Sequence, residues 1–158
     1  MTTKTGRNRA DVITLSLPSV PRLLRVVRCV IAEMAEATGF ALKDRDKICL
    51  AVGEACSNII RHSYKGRTDG KMVIKCKLHS DKFTISIRDY GEKFDIAHVR
   101  AQESTQVRPG GLGVHMIRRA MDEVDYDTTH RVGTEIHMVK YLNPPEAGDD
   151  GSKRSPRG

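Results

Sequence analysis

Glu54 and Asn58 stand four residues apart in the run ICLAVGEACSNIIRHSY, Ile48 to Tyr64. That spacing is one turn of a helix, so both side chains leave it on one edge. The rest of the run is apolar. Ile48, Val52, Ala55 and Ile59 recur at helical spacing, and Cys49, Leu50, Cys56 and Ile60 cover most of what remains; such a helix belongs inside a domain. A carboxylate and an amide there must be satisfied, because an unpaired buried polar group costs roughly 1–3 kcal/mol and a charge more. Internal pairing is one solution. A ligand with a metal is the other: Asn58 offers a neutral oxygen to Mg2+, which prefers oxygen ligands and keeps waters when it binds a triphosphate. Glu54 could then accept a proton from a hydroxyl attacking the γ-phosphate. Lys47 and Arg61 extend the same polar line, each within about 40° of Glu54, with no chemistry to assign.

Two other stretches could meet a ligand. Asp89 ends a strand and is followed by Tyr90-Gly91, a place where backbone can approach a bound molecule closely. Gly110, Gly111, Leu112 and Gly113 open a helix. Free N–H groups at a helix start bind phosphate, and glycines let the backbone reach its oxygens; a plain connector has the same composition. Gly66 to Lys71 is not a phosphate loop. Three residues separate its glycines, Met72 stands where Ser or Thr should hold magnesium, and the flanks run from helix to strand. It is a turn. His62 reads as structural or capping, and His79, His98, His115, His130 and His137 have no metal-ligand spacing.

The elements that must position these residues follow from periodicity. Val12–Leu17 alternates as a strand. Ser19 and Pro21 make a helix start, and that helix runs to about Thr38 with Val20, Leu23, Leu24, Val27, Val30, Ile31 and Met34 inward. Gly39 stops it. Lys43–Asp46 lead into the helix of Glu54. Lys71–His79 and Phe83–Ile87 alternate around a turn at Ser80-Asp81, a hairpin with one dry face. A polar loop spans 92–109, with a short helix expected at 95–103. The helix after Gly113 turns Val114, Ile117, Ala120, Met121 and Val124 inward, and Val124–Thr128 with Val132–Leu142 reads as a second hairpin turning at His130–Gly133. Strands and helices do not alternate as βαβ units. The expected fold is α+β, a two-layer α/β sandwich whose mixed, largely antiparallel sheet is covered on one face by helices.

The chain has 158 residues, 39% hydrophobic and 30% charged, and a formal net charge of +7. One soluble domain is expected over 11–143, between disordered tails at 1–10 and 144–158. No apolar run approaches the roughly 20 residues that span a bilayer, and no signal core follows the basic start. The four cysteines form no CxxC pair and read as small core residues of a cytoplasmic protein. The basic residues are not a run interleaved with aromatics, so direct nucleic-acid binding is not expected.

Taken together, the segments resemble a known family. VGEACSNIIRHSY resembles the E-A-x-x-N-x-I-x-H-x-[YF] box of the GHKL (histidine-kinase-like ATPase) superfamily, IRDYGEKFD its D-x-G box, RPGGLGVHMIRRAMDEVDY its second glycine box, and GTEIHMVKYL its closing strand. The D-x-G-x-x-F-D, G-G-L-G and M-D-E-V-x-Y forms are similar to those of the anti-sigma-factor serine kinases of the bacterial sporulation and general-stress type. The resemblance covers about residues 12–142 and implies the Bergerat ATP-binding fold. It implies that Asn58 ligates the Mg2+ on ATP, Glu54 is the catalytic base, and Asp89 accepts from the adenine amino group with Gly91 giving room. Gly110, Gly111, Leu112 and Gly113 would wrap the phosphates as a lid, and Thr134 would support Asp89. The implied reaction phosphorylates a Ser or Thr of a STAS-type anti-anti-sigma protein. The implied partners also include a sigma factor and a second copy of the chain. A module that holds a protein partner without catalysis is the other implied reading. Lys93 stands where many GHKL members have a second glycine, so it either alters the lid hinge or adds a phosphate contact.

Overall fold

The computed structural model describes residues 10–93, residue 95 and residues 112–144. The expected tails, the expected helix at 95–103, most of the 92–109 loop, Gly110 and Gly111 lie outside the described residues. The elements in chain order are β1 (Asp11–Pro18), a 3-10 turn (Pro21–Leu23), α1 (Leu24–Thr38), α2 (Leu42–Asn58), a π-turn (Ile59–Ser63), β2 (Lys71–Leu78), β3 (Lys82–Asp89), α3 (Leu112–Ala120), β4 (Glu123–Asp127) and β5 (Glu135–Tyr141).

The five strands form one sheet in the order β1-β2-β3-β5-β4. Every pairing is antiparallel, so the expected mixed sheet is antiparallel throughout. Its dry face carries Met72, Ile74 and Cys76 of β2, Phe83, Ile85 and Ile87 of β3, and Ile136 and Met138 of β5, all buried. Val27, Ile31, Met34 and Ala35 of α1, Ile48, Ala51, Val52, Ala55 and Cys56 of α2, and Ile117 and Ala120 of α3 close the core from the other side. The period-2 strands and the period-3.6 helices thus meet as two layers. The opposite sheet face holds Lys75, Lys77 and Arg88 beside Asp125, Asp127 and Glu135.

Several local expectations change. Ser19 does not cap a helix. Val20 stands at the cap, and no side chain bonds there. Ser19 is fully buried; its Oγ donates to Arg67 O at 2.5 Å and accepts from Gly70 N at 3.0 Å. It therefore ties the end of β1 to the turn before β2, and Pro21 opens a 3-10 turn instead of the α-helix. Gly39 does end α1, in the left-handed region at φ 98°. α2 is central to the helical layer but not enclosed. Leu50 is 38% exposed, because a two-layer sandwich leaves the outer side of its middle helix to solvent. Among the cysteines, Cys56 and Cys76 are buried, and burial pushes each thiol up to about 12. Cys29 instead faces solvent. The Gly66–Lys71 segment is a turn, with Lys65 and Gly66 at positive φ. No helix of the described residues is long and apolar enough to cross a membrane.

Candidate functional site

α2 does not run on as α-helix to Tyr64. It gives way to the π-turn directly after Asn58, where Tyr64 N reaches Ile59 O at 3.1 Å. A π-turn widens the helix by one residue, and such turns recur at functional sites. Here it turns the Ser63 carbonyl toward the end of β3. Glu92 N donates to Ser63 O at 2.9 Å, and a Cβ built on Gly91 would lie 2.4 Å from that same oxygen. Only glycine fits at 91. Tyr64 then locks the corner: its ring fills the space a Cβ on Gly70 would need, and its hydroxyl accepts from Tyr90 N at 2.8 Å.

Asp89 sits at the end of β3, 1% exposed. Its Oδ1 accepts from Gly91 N at 3.0 Å, and the Thr134 backbone and the Ser63 hydroxyl also support the carboxylate. Burial nevertheless raises its pKa above the ordinary value, because these donors and nearby Arg88 only partly offset the lost hydration. Thr134 is buried and accepts from Asp89 N through its own carbonyl at 3.0 Å. Gly133, at φ 69°, packs so closely on the Asp89 carbonyl that a Cβ would lie 2.2 Å from it. Arg88 fastens this corner by donating to the carbonyls of Asp89, Val132 (2.5 Å) and Thr134 (3.2 Å).

A narrow recess opens between α2 and the sheet. Ile87, Ile136 and Tyr126 face it as one cross-strand row from β3, β5 and β4. Ala55 and Ile59 line the helical side, and Asn58, Ser63, Asp89 and Thr134 supply the polar groups. A mostly apolar recess with a few convergent polar groups is the form of a small-molecule site.

The structure brings Glu54 and Asn58 to the start of α3. A Cβ on Gly113 would lie 2.9 Å from Glu54 Oε2 and 3.4 Å from both Asn58 Oδ1 and Nδ2. The glycine is what lets the helix start come so near the polar edge of α2. Leu112 begins α3, and Gly110 and Gly111 lie outside the described residues. Arg61 now has a partner on the line: its Nη2 donates to Asn58 Oδ1 at 3.2 Å and its Nε to Ser57 O at 3.4 Å. Lys47 pairs with Asp44 at 3.1 Å on the solvated flank. Lys93 is exposed and donates to Thr128 O at 3.3 Å, so it fastens the loop after Asp89 to the β4–β5 connection.

Ser63, Arg88, Tyr126 and the row of isoleucines were not marked by sequence alone. Their placement depends on the π-turn and on cross-strand register, which motif spacing does not encode. Alternation does put Ile87 and Ile136 on the dry face, and that was the available signal.

The arrangement fits a nucleotide with a metal. Among the described residues no group of three or more His, Cys, Asp and Glu could cage an ion. Mg2+ needs no such cage when it is held by one or two protein oxygens and phosphates, and the space that glycine leaves at 113 lies beside the Asn58 oxygen.

Comparison with known proteins places the chain. Residues 17–140 match the histidine kinase-like ATPase domain. The chain is 30% identical over 156 residues to the serine-protein kinase RsbW of Listeria innocua, covering 92% of this chain and 96% of that one. It is 27% identical to RsbW of Bacillus subtilis (91% and 94% covered) and 27% identical to RsbW of Bacillus pumilus (89% and 91% covered). The chain therefore belongs to the histidine kinase-like ATPase family, in the group of the RsbW serine-protein kinases.

Proposed function

We propose that this protein is an ATP-dependent serine/threonine-protein kinase and anti-sigma factor, which phosphorylates a STAS-type anti-anti-sigma protein and binds a sigma factor in a partner-switching pathway. The observation that carries the reading is the meeting of Glu54, Asn58 and Gly113 at the rim of the recess that ends on buried Asp89. The adenine ring would lie in the recess between Ile87, Ile136 and Ala55. The Asp89 carboxylate would accept its amino hydrogen, and Gly91 leaves room beside it. Thr134 and Ser63 would hold that carboxylate in place. Gly110, Gly111, Leu112 and Gly113 would meet the phosphates, with backbone N–H groups at the start of α3 turned to their oxygens. Asn58 would ligate Mg2+, which neutralises charge on the phosphates as the terminal group departs. Glu54 would take the proton from the partner's hydroxyl as its oxygen bonds to the γ-phosphorus, and the bond to the ADP oxygen breaks. Phosphoryl transfer is governed by positioning and electrostatics, so one small domain can perform it.

The test is incubation of the protein with ATP, Mg2+ and a cognate STAS protein. The expected result is phosphoserine or phosphothreonine on the partner, with Glu54→Gln losing at least about a hundredfold in rate, the lower range for a general base, while still binding ATP. Normal transfer by Glu54→Gln would remove the base assignment. Capture of the partner with no transfer by the wild type would favour a non-catalytic sequestering module.

A further inference from the structure

We propose that Arg61 is a positioning residue for the Asn58 side chain, holding its oxygen rather than its nitrogen available to a phosphate-bound Mg2+. The inference rests on the nucleotide reading above. A carboxamide has two ends of nearly the same shape and opposite chemistry: the oxygen accepts, the NH2 group only donates. An Asn free to turn over would present the wrong end to a cation part of the time. The 3.2 Å contact from Arg61 Nη2 to Asn58 Oδ1 removes that freedom. Guanidinium nitrogens have no acceptor capacity, so the flipped amide would set donor against donor. The oxygen has two lone pairs; Arg61 engages one and leaves the other for a metal.

Arg61 is itself held. Its Nε donates to Ser57 O at 3.4 Å, so the planar guanidinium spans the carbonyl of one residue and the side-chain oxygen of the next. Asn58 is 9% exposed and lines the recess, whereas Arg61 is exposed. The oxygen thus lies on the solvent edge of the recess wall. Arg61 is not among the residues that line the recess, and it acts through Asn58.

The experiment is titration of the full chain with a fluorescent ATP analogue, over a Mg2+ series and in chelator, for the wild type, Arg61→Leu and Arg61→Lys. Arg61→Leu should raise the Mg2+ needed for half-maximal response by about tenfold or more, the lower range for loss of an outer-shell partner, and leave metal-free binding unchanged. Lys at the same site keeps donors and no acceptor and lies three residues along the same edge, so Arg61→Lys should keep a Mg2+ response close to that of the wild type. An unchanged Mg2+ response in Arg61→Leu overturns the proposal. So does an equal loss of metal-free binding, which would make Arg61 a direct phosphate ligand, or a Lys variant as impaired as Leu. A wild type whose binding ignores Mg2+ overturns the nucleotide reading and this one with it.

Discussion

Asp89 carries the least favourable charge in the site. It is 1% exposed, and burial outweighs the Gly91, Thr134 and Ser63 donors and the neighbouring Arg88, so its pKa stands above the ordinary 3.8. The native state therefore binds this proton more tightly than the unfolded chain does. Below 3.8 both states are protonated and the group costs nothing. As pH rises through the window up to the raised value, stability is lost, and above that value the whole cost of the buried charge is present. Asp89→Asn carries no such cost. Without nucleotide, its stability relative to the wild type should improve from about pH 3.5 up to the raised pKa and level off above it. Urea unfolding of both proteins over that range measures it, and a pH-independent difference would mean the carboxylate is not destabilised. A protein that retains a group at such a cost has a use for an ionised acceptor in an apolar recess. The types and spacing of Glu54, Asn58 and Asp89 made them legible in the sequence, because polar residues on apolar elements stand out. Arg61 was visible only as a charge on the same line, since a hydrogen bond between neighbours on one edge has no signature in spacing.

At the scale of elements, the π-turn after Asn58 was the hidden feature. Ile48–Tyr64 is read naturally as one helix, because its apolar pattern continues past Asn58; the extra residue in the turn changes which atoms face β3 without changing that pattern. The consequence is the contact of the Ser63 carbonyl with Gly91. A Cβ at 91 would lie 2.4 Å from a backbone oxygen that cannot rotate away. Gly91→Ala should therefore destabilise the protein by about 1–3 kcal/mol, the cost of forcing atoms into a packed site. It should also weaken nucleotide binding, because the displaced segment carries the N–H that holds Asp89. Denaturant unfolding and ATP titration of the same variant check both effects. A loss of affinity with unchanged stability would show that Gly91 serves the ligand alone. The first hairpin, by contrast, was legible nearly to the residue, since strict alternation on β2 and β3 puts Met72, Ile74 and Cys76 on one face with Phe83, Ile85 and Ile87, whereas β5 begins at Glu135, three residues after the expected Val132.

At the scale of the whole molecule, the recess is built where all the layers meet: α2 above, β3, β5 and β4 below, and α3 at the rim. A ligand there touches elements from both halves of the chain, so binding should stabilise the domain as a unit. At about a hundred times its dissociation constant a ligand adds about 2.7 kcal/mol, which for a chain of 158 residues corresponds to an increase in Tm of roughly 5–10 °C. As the proposed adenine acceptor, buried Asp89 would make that stabilisation selective. An ionised carboxylate accepts the amino hydrogen of adenine. It meets an oxygen, another acceptor, at the matching position of guanine, and leaving it unpaired against that oxygen costs more than one lost hydrogen bond. ATP with Mg2+ should raise Tm by the stated amount, and GTP at the same concentration should raise it little, with at least about tenfold weaker affinity. Equal shifts with the two nucleotides would separate Asp89 from base recognition and leave the phosphates and Gly113 as the whole of the binding site.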